Sequence, residues 1–157
     1  MNNLTKTVEL LTAIALCDDE EYKKKLLVSL KELSCDTEPK LSMEETVISM
    51  LTELGVPSSV SGYDHMVYAI CAIANNPGLK HTITGELYPM VAKAFNSCDK
   101  RVERTMRHAI TVAFDRCDVD VVHKYFGNTI SPYRGKPTNS EFLSRLADEV
   151  RWRVNNV

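Results

Sequence analysis

The sequence has little that would staple a fold, cross a membrane or carry out a reaction. Its five cysteines (Cys17, Cys35, Cys71, Cys98 and Cys117) are odd in number, contain no CxxC pair and sit in apolar or helical stretches. A secreted disulfide framework is therefore excluded, and reduced thiols in a cytoplasmic protein are expected. Long hydrophobic runs are missing. The stretch 10–17 ends at the acidic Asp18, and 65–79 is broken by Asn75, Asn76, Pro77 and Gly78, so neither can span a bilayer. No basic region followed by an export-type apolar stretch opens the chain. A nucleophile elbow, a phosphate loop and paired catalytic carboxylates are also lacking, which argues against an enzyme. The four histidines and five cysteines have no zinc-finger spacing, so neither a metal nor another cofactor is expected. The acidic run Asp18 to Glu21 fits a helical first turn complementing the dipole better than a cation site. No internal repeat or low-complexity segment occurs, and nowhere is the alternation of a half-buried strand sustained.

What is present is helical periodicity. Apolar residues recur at three and four throughout, so the fold class is all-α. Helices are expected over Leu4–Leu16 and Glu20–Leu33, the second capped by Asp18 or Asp19, and a polar linker with Pro39 follows. That linker divides the chain into an acidic N-terminal helical hairpin or dimerisation arm, 1–40, and a main domain, 41–157. In the main domain Ser42 and Glu45 form a capping box for a helix that Gly55 stops, and Gly62–Asn75 is apolar enough to lie in the core. A helix from Thr84 or Gly85 to Phe95 accommodates Pro89 in its first turn. Asp99–Arg116, a shorter helix over Asp118–Tyr125, and a last helix opened by Thr138 and Glu141 complete the pattern. Trp152, near the end, is expected to anchor that last helix to the core.

Charge is unevenly spread. Residues 1–46 carry a net −4 and 47–79 a net −2, whereas 80–117 carry +3 and 118–157 carry +1. A polyanion would favour the second half. The positive segment centres on "KRVERTMRH", residues 100–108. On a helical wheel Val102, Met106, Ala109, Ile110 and Ala113 form one core-facing stripe, while Arg101, Arg104 and His108 point away, with Glu103 and Arg107 toward one flank. Glu103 and Arg107 are spaced to pair along the helix, so part of this charge serves helix stability. The preceding helix shifts the balance: its apolar face (Tyr88, Val91, Ala92, Phe95), the short turn "NSCD" and the basic helix make a helix-turn-helix pattern. In such a unit the exposed N-terminal residues of the second helix enter the major groove. Arg101, Arg104 and Arg107 can donate in pairs to guanine, and Glu103 can accept from cytosine or orient an arginine; Lys100 and His108 suit phosphate. Cys98, in the turn, is the thiol best placed to be exposed beside basic residues.

The stretches "ELGVPSSVSGY", "LYPMVAKAFN", "RVERTMRHAI" and "FGNTISPYRGKPTNSEF" resemble, in order and spacing, the C-terminal DNA-binding effector domain of the stage zero sporulation protein A family, over about residues 45–150. The resemblance implies a helix-turn-helix transcription regulator that binds promoter boxes in double-stranded DNA as dimers or tandem copies and touches an RNA polymerase sigma subunit. It implies base reading by Arg101, Glu103, Arg104 and Arg107, with Arg104 foremost. It also implies phosphate contacts by His108 and Lys136, and a polymerase contact near Phe126 and Gly127, where Val121 and His123 replace smaller polar residues. The family's phosphoacceptor receiver cannot fit in the residues before 41, so control by its own phosphorylation is not expected, and residues 3–35 are candidates for homodimer formation. The competing reading is a protein-interaction module, or an antagonist, that keeps the fold and binds a regulator or polymerase subunit.

Overall fold

The computed structural model describes residues 9, 11–15, 19–35, 41–130 and 135–156, and every regular element among them is helical. The chain divides into two compact units, Met1–Lys40 and Leu41–Val157. In the first, helix α1 (Glu20–Cys35) begins where Asp19 Oδ1 accepts the Glu21 amide at 2.9 Å, and Tyr22, Leu27 and Val28 are exposed. The expected helix over Leu4–Leu16 lies largely outside the described residues, apart from helical backbone at 11–15, as does the expected linker.

The second unit is built from α2 (Met43–Glu53), α3 (Gly62–Asn75), α4 (Tyr88–Ala94), α5 (Asp99–Arg116), α6 (Val119–Phe126) and α7 (Asn139–Asn155). Two of these start on complete capping boxes. Ser42 and Thr138 each accept an amide from the glutamate three residues on, Glu45 or Glu141, whose carboxylate accepts the cap residue's own amide in return. Each box satisfies two of the donors that a helix start leaves unpaired. α2 ends at Gly55, whose φ of 71° suits a residue without a Cβ. A short 3-10 turn (Pro77–His81) and a π-helical turn (Ile83–Leu87) then lead into α4, which carries Pro89 in its first turn. The expected single helix from residue 84 is thus a π turn followed by a short α-helix.

The central element is α3, which packs against α2, α4, α5 and α7. Its Met66, Ala69, Ile70 and Ile73 are wholly buried. Core burial of side chains of this size stabilises by about 1.5–3 kcal/mol each, which outweighs the weak helix propensity of isoleucine. α7 contributes Phe142, Leu143, Leu146, Ala147 and Val150 to the same core. Trp152 corrects the sequence expectation: it is 64% exposed, because at 100° per residue it falls opposite Leu143 on α7.

The short helix α6 is pinned by polar contacts. Glu53, at the end of α2, accepts hydrogen bonds from Lys124 at 2.5 Å and from the Tyr125 hydroxyl, and Arg145 donates to the Tyr125 carbonyl at 2.7 Å. The Lys124 and Tyr125 bonds hold the Glu53 carboxyl below its ordinary pKa, while burial first, and then the Glu53 bond, push the Tyr125 hydroxyl up to about 12. A depressed carboxyl binds fewer protons folded than unfolded, so its stabilisation is present above the unfolded pKa and disappears as pH falls through the folded one. Denaturation midpoints measured from neutral pH down through the carboxylate range should therefore fall less steeply for Glu53→Gln than for wild type.

Candidate nucleic-acid interface

The geometry that displays the basic residues starts at the end of α4. Asn96 adopts φ 49°, and the Ser97 amide donates to the Ala92 carbonyl at 2.8 Å, which closes the helix in a left-handed C-terminal cap. Cys98 is extended, its carbonyl accepts the first amide bonds of α5, and α5 departs at Asp99. Four residues thus separate two helices that pack on each other.

α5 is 18 residues long and fixed from three sides. Val102, Met106, Ala109, Ile110 and Ala113, the stripe expected from the wheel, are all buried. From α3, Gly62 lies so close that a Cβ there would stand 2.2 Å from the Thr105 carbonyl oxygen, and His65 Nδ1 is 2.9 Å from Thr105 Oγ1. Thr105 Oγ1 is also 3.0 Å from the Val102 carbonyl, and the tautomer that satisfies both contacts carries its proton on His65 Nδ1, with the Thr105 hydroxyl donating to the carbonyl. From α7, the buried Asn139 amide donates to the Glu103 carbonyl at 3.0 Å and to the Tyr88 hydroxyl at 3.2 Å. A recognition element needs this rigidity, because base contacts tolerate little misplacement.

With α5 fixed, its charged residues separate into two groups. Arg101, Arg104 and His108 are exposed and, with Thr105, line one cleft of about 400 Å³. No ion pair among the described residues engages Arg101 or Arg104. On the other flank Arg107 bonds Glu103 at 2.5 Å, the pairing that their spacing allows. Lys100 is exposed in the first turn, and Cys98 is exposed in the preceding loop. Lys136 lies apart, bonded to Asp115 at 2.6 Å near the other end of α5. Eleven residues of helix separate Asp115 from Arg104, roughly 16 Å.

The aromatic half of the expected polymerase contact needs correction. Phe126 is 2% exposed, stacked on Phe142 with centroids 5.6 Å apart and edge-on to Phe114. Its ring belongs to the core, and only Gly127 of that pair faces solvent. Two residues that sequence reasoning missed, His65 and Thr105, help to hold and to shape the basic cleft. The four- and three-residue spacing of Arg101, Thr105 and His108 was the available signal for Thr105; nothing local marked His65. Among the described residues no group of three histidine, cysteine or acidic side chains is placed to hold a metal ion, and no helix is long and apolar enough to cross a membrane. A family model, that of the sporulation initiation factor Spo0A C terminal, matches residues 47–150, and no receiver domain is indicated within the 157 residues.

Proposed function

This chain belongs to the Spo0A C-terminal family, whose domain is the DNA-binding effector of a sporulation regulator and not an enzyme, and on that premise we propose that it is a sequence-specific transcription regulator reading promoter boxes with α5. The observation that carries this reading is the display of Arg101 and Arg104 on a helix braced from α3, α4 and α7, both without an ion-pair partner among the described residues. α4 and α5 act as a helix-turn-helix, with α5 in the major groove. Arg104 and Arg101 are the base readers. Glu103 works mainly by holding Arg107, which then meets DNA on the flank of the groove. Lys100 and His108 contact phosphate, and Lys136 does so only after leaving Asp115. Binding responds to no phosphorylation within these residues, and the protein works in the cytoplasm. Titration of duplexes with and without the family's box, at one salt concentration, tests the reading.

The N-terminal unit, on this proposal, joins two copies of the chain. Exposed Tyr22, Leu27 and Val28 support that role, since a helical unit of so few residues buries little by itself. Removal of residues 1–40 should leave a protein whose mass in solution is that of a single truncated chain, and should weaken binding to paired boxes more than to a single box. A mass of two truncated chains would show that the arm does not dimerise the protein. Contact with a sigma subunit, if made through this region, uses the exposed surface around Gly127 and His123 and not the ring of Phe126.

A further inference from the structure

A second cleft of about 240 Å³ adjoins the basic one and shares Arg101 and Thr105 with it. Its other walls are Ser61 and His65 from the start of α3 and Phe95, Asn96 and Ser97 from the turn. Three features set it apart. Its rim carries the exposed guanidinium of Arg101. The Ser97 hydroxyl, among its walls, is enclosed and has no hydrogen-bond partner among the described residues, which is uncommon for a buried polar group. It also holds a titratable ring, His65, bonded to Thr105 and edge-on to Phe95 with centroids 4.9 Å apart.

Resting on the DNA-binding reading above, we infer that this cleft seats a backbone phosphate of the bound duplex beside the base-reading face, and that seating it draws a proton onto His65. The groups facing His65 account for the coupling. Asp64, on its own helix, favours the imidazolium; Arg101, from α5, opposes it; Thr105, Phe95 and Ser97 carry no charge. In the free protein burial, the largest influence, holds His65 below its ordinary pKa against the opposing pull of Asp64, and the Arg101 charge adds a smaller lowering. A phosphate seated in the cleft, beside an Arg101 whose guanidinium still reaches the base edges, offsets the Arg101 charge and adds a negative charge of its own near His65, so the complex binds the proton more tightly than the free protein does. Linkage then requires the reciprocal effect: acidification tightens DNA binding. The cleft differs from the contacts assigned to Lys100 and His108 because it lies on the side of α5 that faces α3.

The test uses the full chain and a labelled duplex bearing the family's box, titrated at fixed salt between about pH 8 and about pH 5.5, where histidine changes charge. Affinity should rise on acidification, by up to about tenfold for each pKa unit that the complex restores to His65. His65→Gln should abolish a large part of that rise, and His81→Gln, at the exposed end of the 3-10 turn and outside the residues assigned to DNA, should keep it. In the wild type, the His65 ring followed by NMR should titrate at a higher pH with duplex bound than without, a comparison that does not depend on any variant's folding. An equal rise in His65→Gln, or an unmoved His65 titration, overturns the inference while leaving box binding intact. If inorganic phosphate alone moves that titration as far as the duplex does, the cleft is a site for free anions and its assignment to the DNA backbone is wrong. Absence of DNA binding at every pH would remove the underlying reading, a result distinguishable from the other two.

Discussion

Gly62→Ala should cost the second unit about 3 kcal/mol and lower its melting temperature by about 10 °C, an effect at the upper end for a single added methyl group. The added carbon would meet the Thr105 carbonyl at 2.2 Å and its carbonyl carbon at 2.5 Å, both backbone atoms that cannot rotate aside. α3 and α5 would have to separate. That separation would strain the His65 to Thr105 hydrogen bond and loosen the brace behind the basic face, so DNA affinity should fall together with stability. Gly85→Ala is the matched control, because nothing lies within 4 Å of a Cβ there and its φ is unexceptional. Thermal or denaturant unfolding of the two variants checks the prediction. Equal stability would mean that α3 and α5 do not approach as closely as described.

Arg104→Ala should lower the preference for a box over a scrambled duplex by about 1–3 kcal/mol, if the guanidinium donates twice to one guanine. The side chain is suited to this by what surrounds it: exposed, on the cleft side of α5, with no ion pair among the described residues. A base reader and a phosphate contact leave different traces. Loss of a base reader lowers discrimination and leaves the salt dependence close to that of wild type. Loss of a phosphate contact weakens binding to all duplexes alike and lowers the salt slope by about 1. The second pattern would assign Arg104 to the backbone and pass base reading to Arg101. Arg107 is a weaker candidate, because it must first leave Glu103.

Much of this was legible in the sequence, for reasons that are local. The capping boxes at Ser42 and Thr138, the bounds of α3 and α5, and the buried stripe from Val102 to Ala113 follow from spacing within a single helix. Arg101, Arg104 and His108 stand on the face opposite that stripe for the same reason. Contacts between helices were not legible. His65 and Thr105 are 40 positions apart, and Asn139 and Glu103 are 36 apart, so no periodicity links them. Gly62 looks in the sequence like an ordinary helix start, and only the neighbouring backbone reveals why a Cβ is excluded. The π turn before α4 escaped because Pro89 permits more than one kind of helical entry. Phe126 illustrates the opposite error: its resemblance to a contact region said nothing of burial, and the aromatic cluster with Phe114 and Phe142 claims the ring.

The most direct measurement is the affinity of the full chain for a duplex carrying the family's box and for a scrambled duplex of the same length, at one near-physiological salt concentration. Nonspecific binding depends steeply on salt, so only a ratio taken at fixed salt is informative. Box reading by α5 is expected to give a preference of at least about a thousandfold, in the range of specific regulators. Equal affinity for the two duplexes would contradict it, and would leave the basic face of α5 as a surface for some partner other than a promoter box.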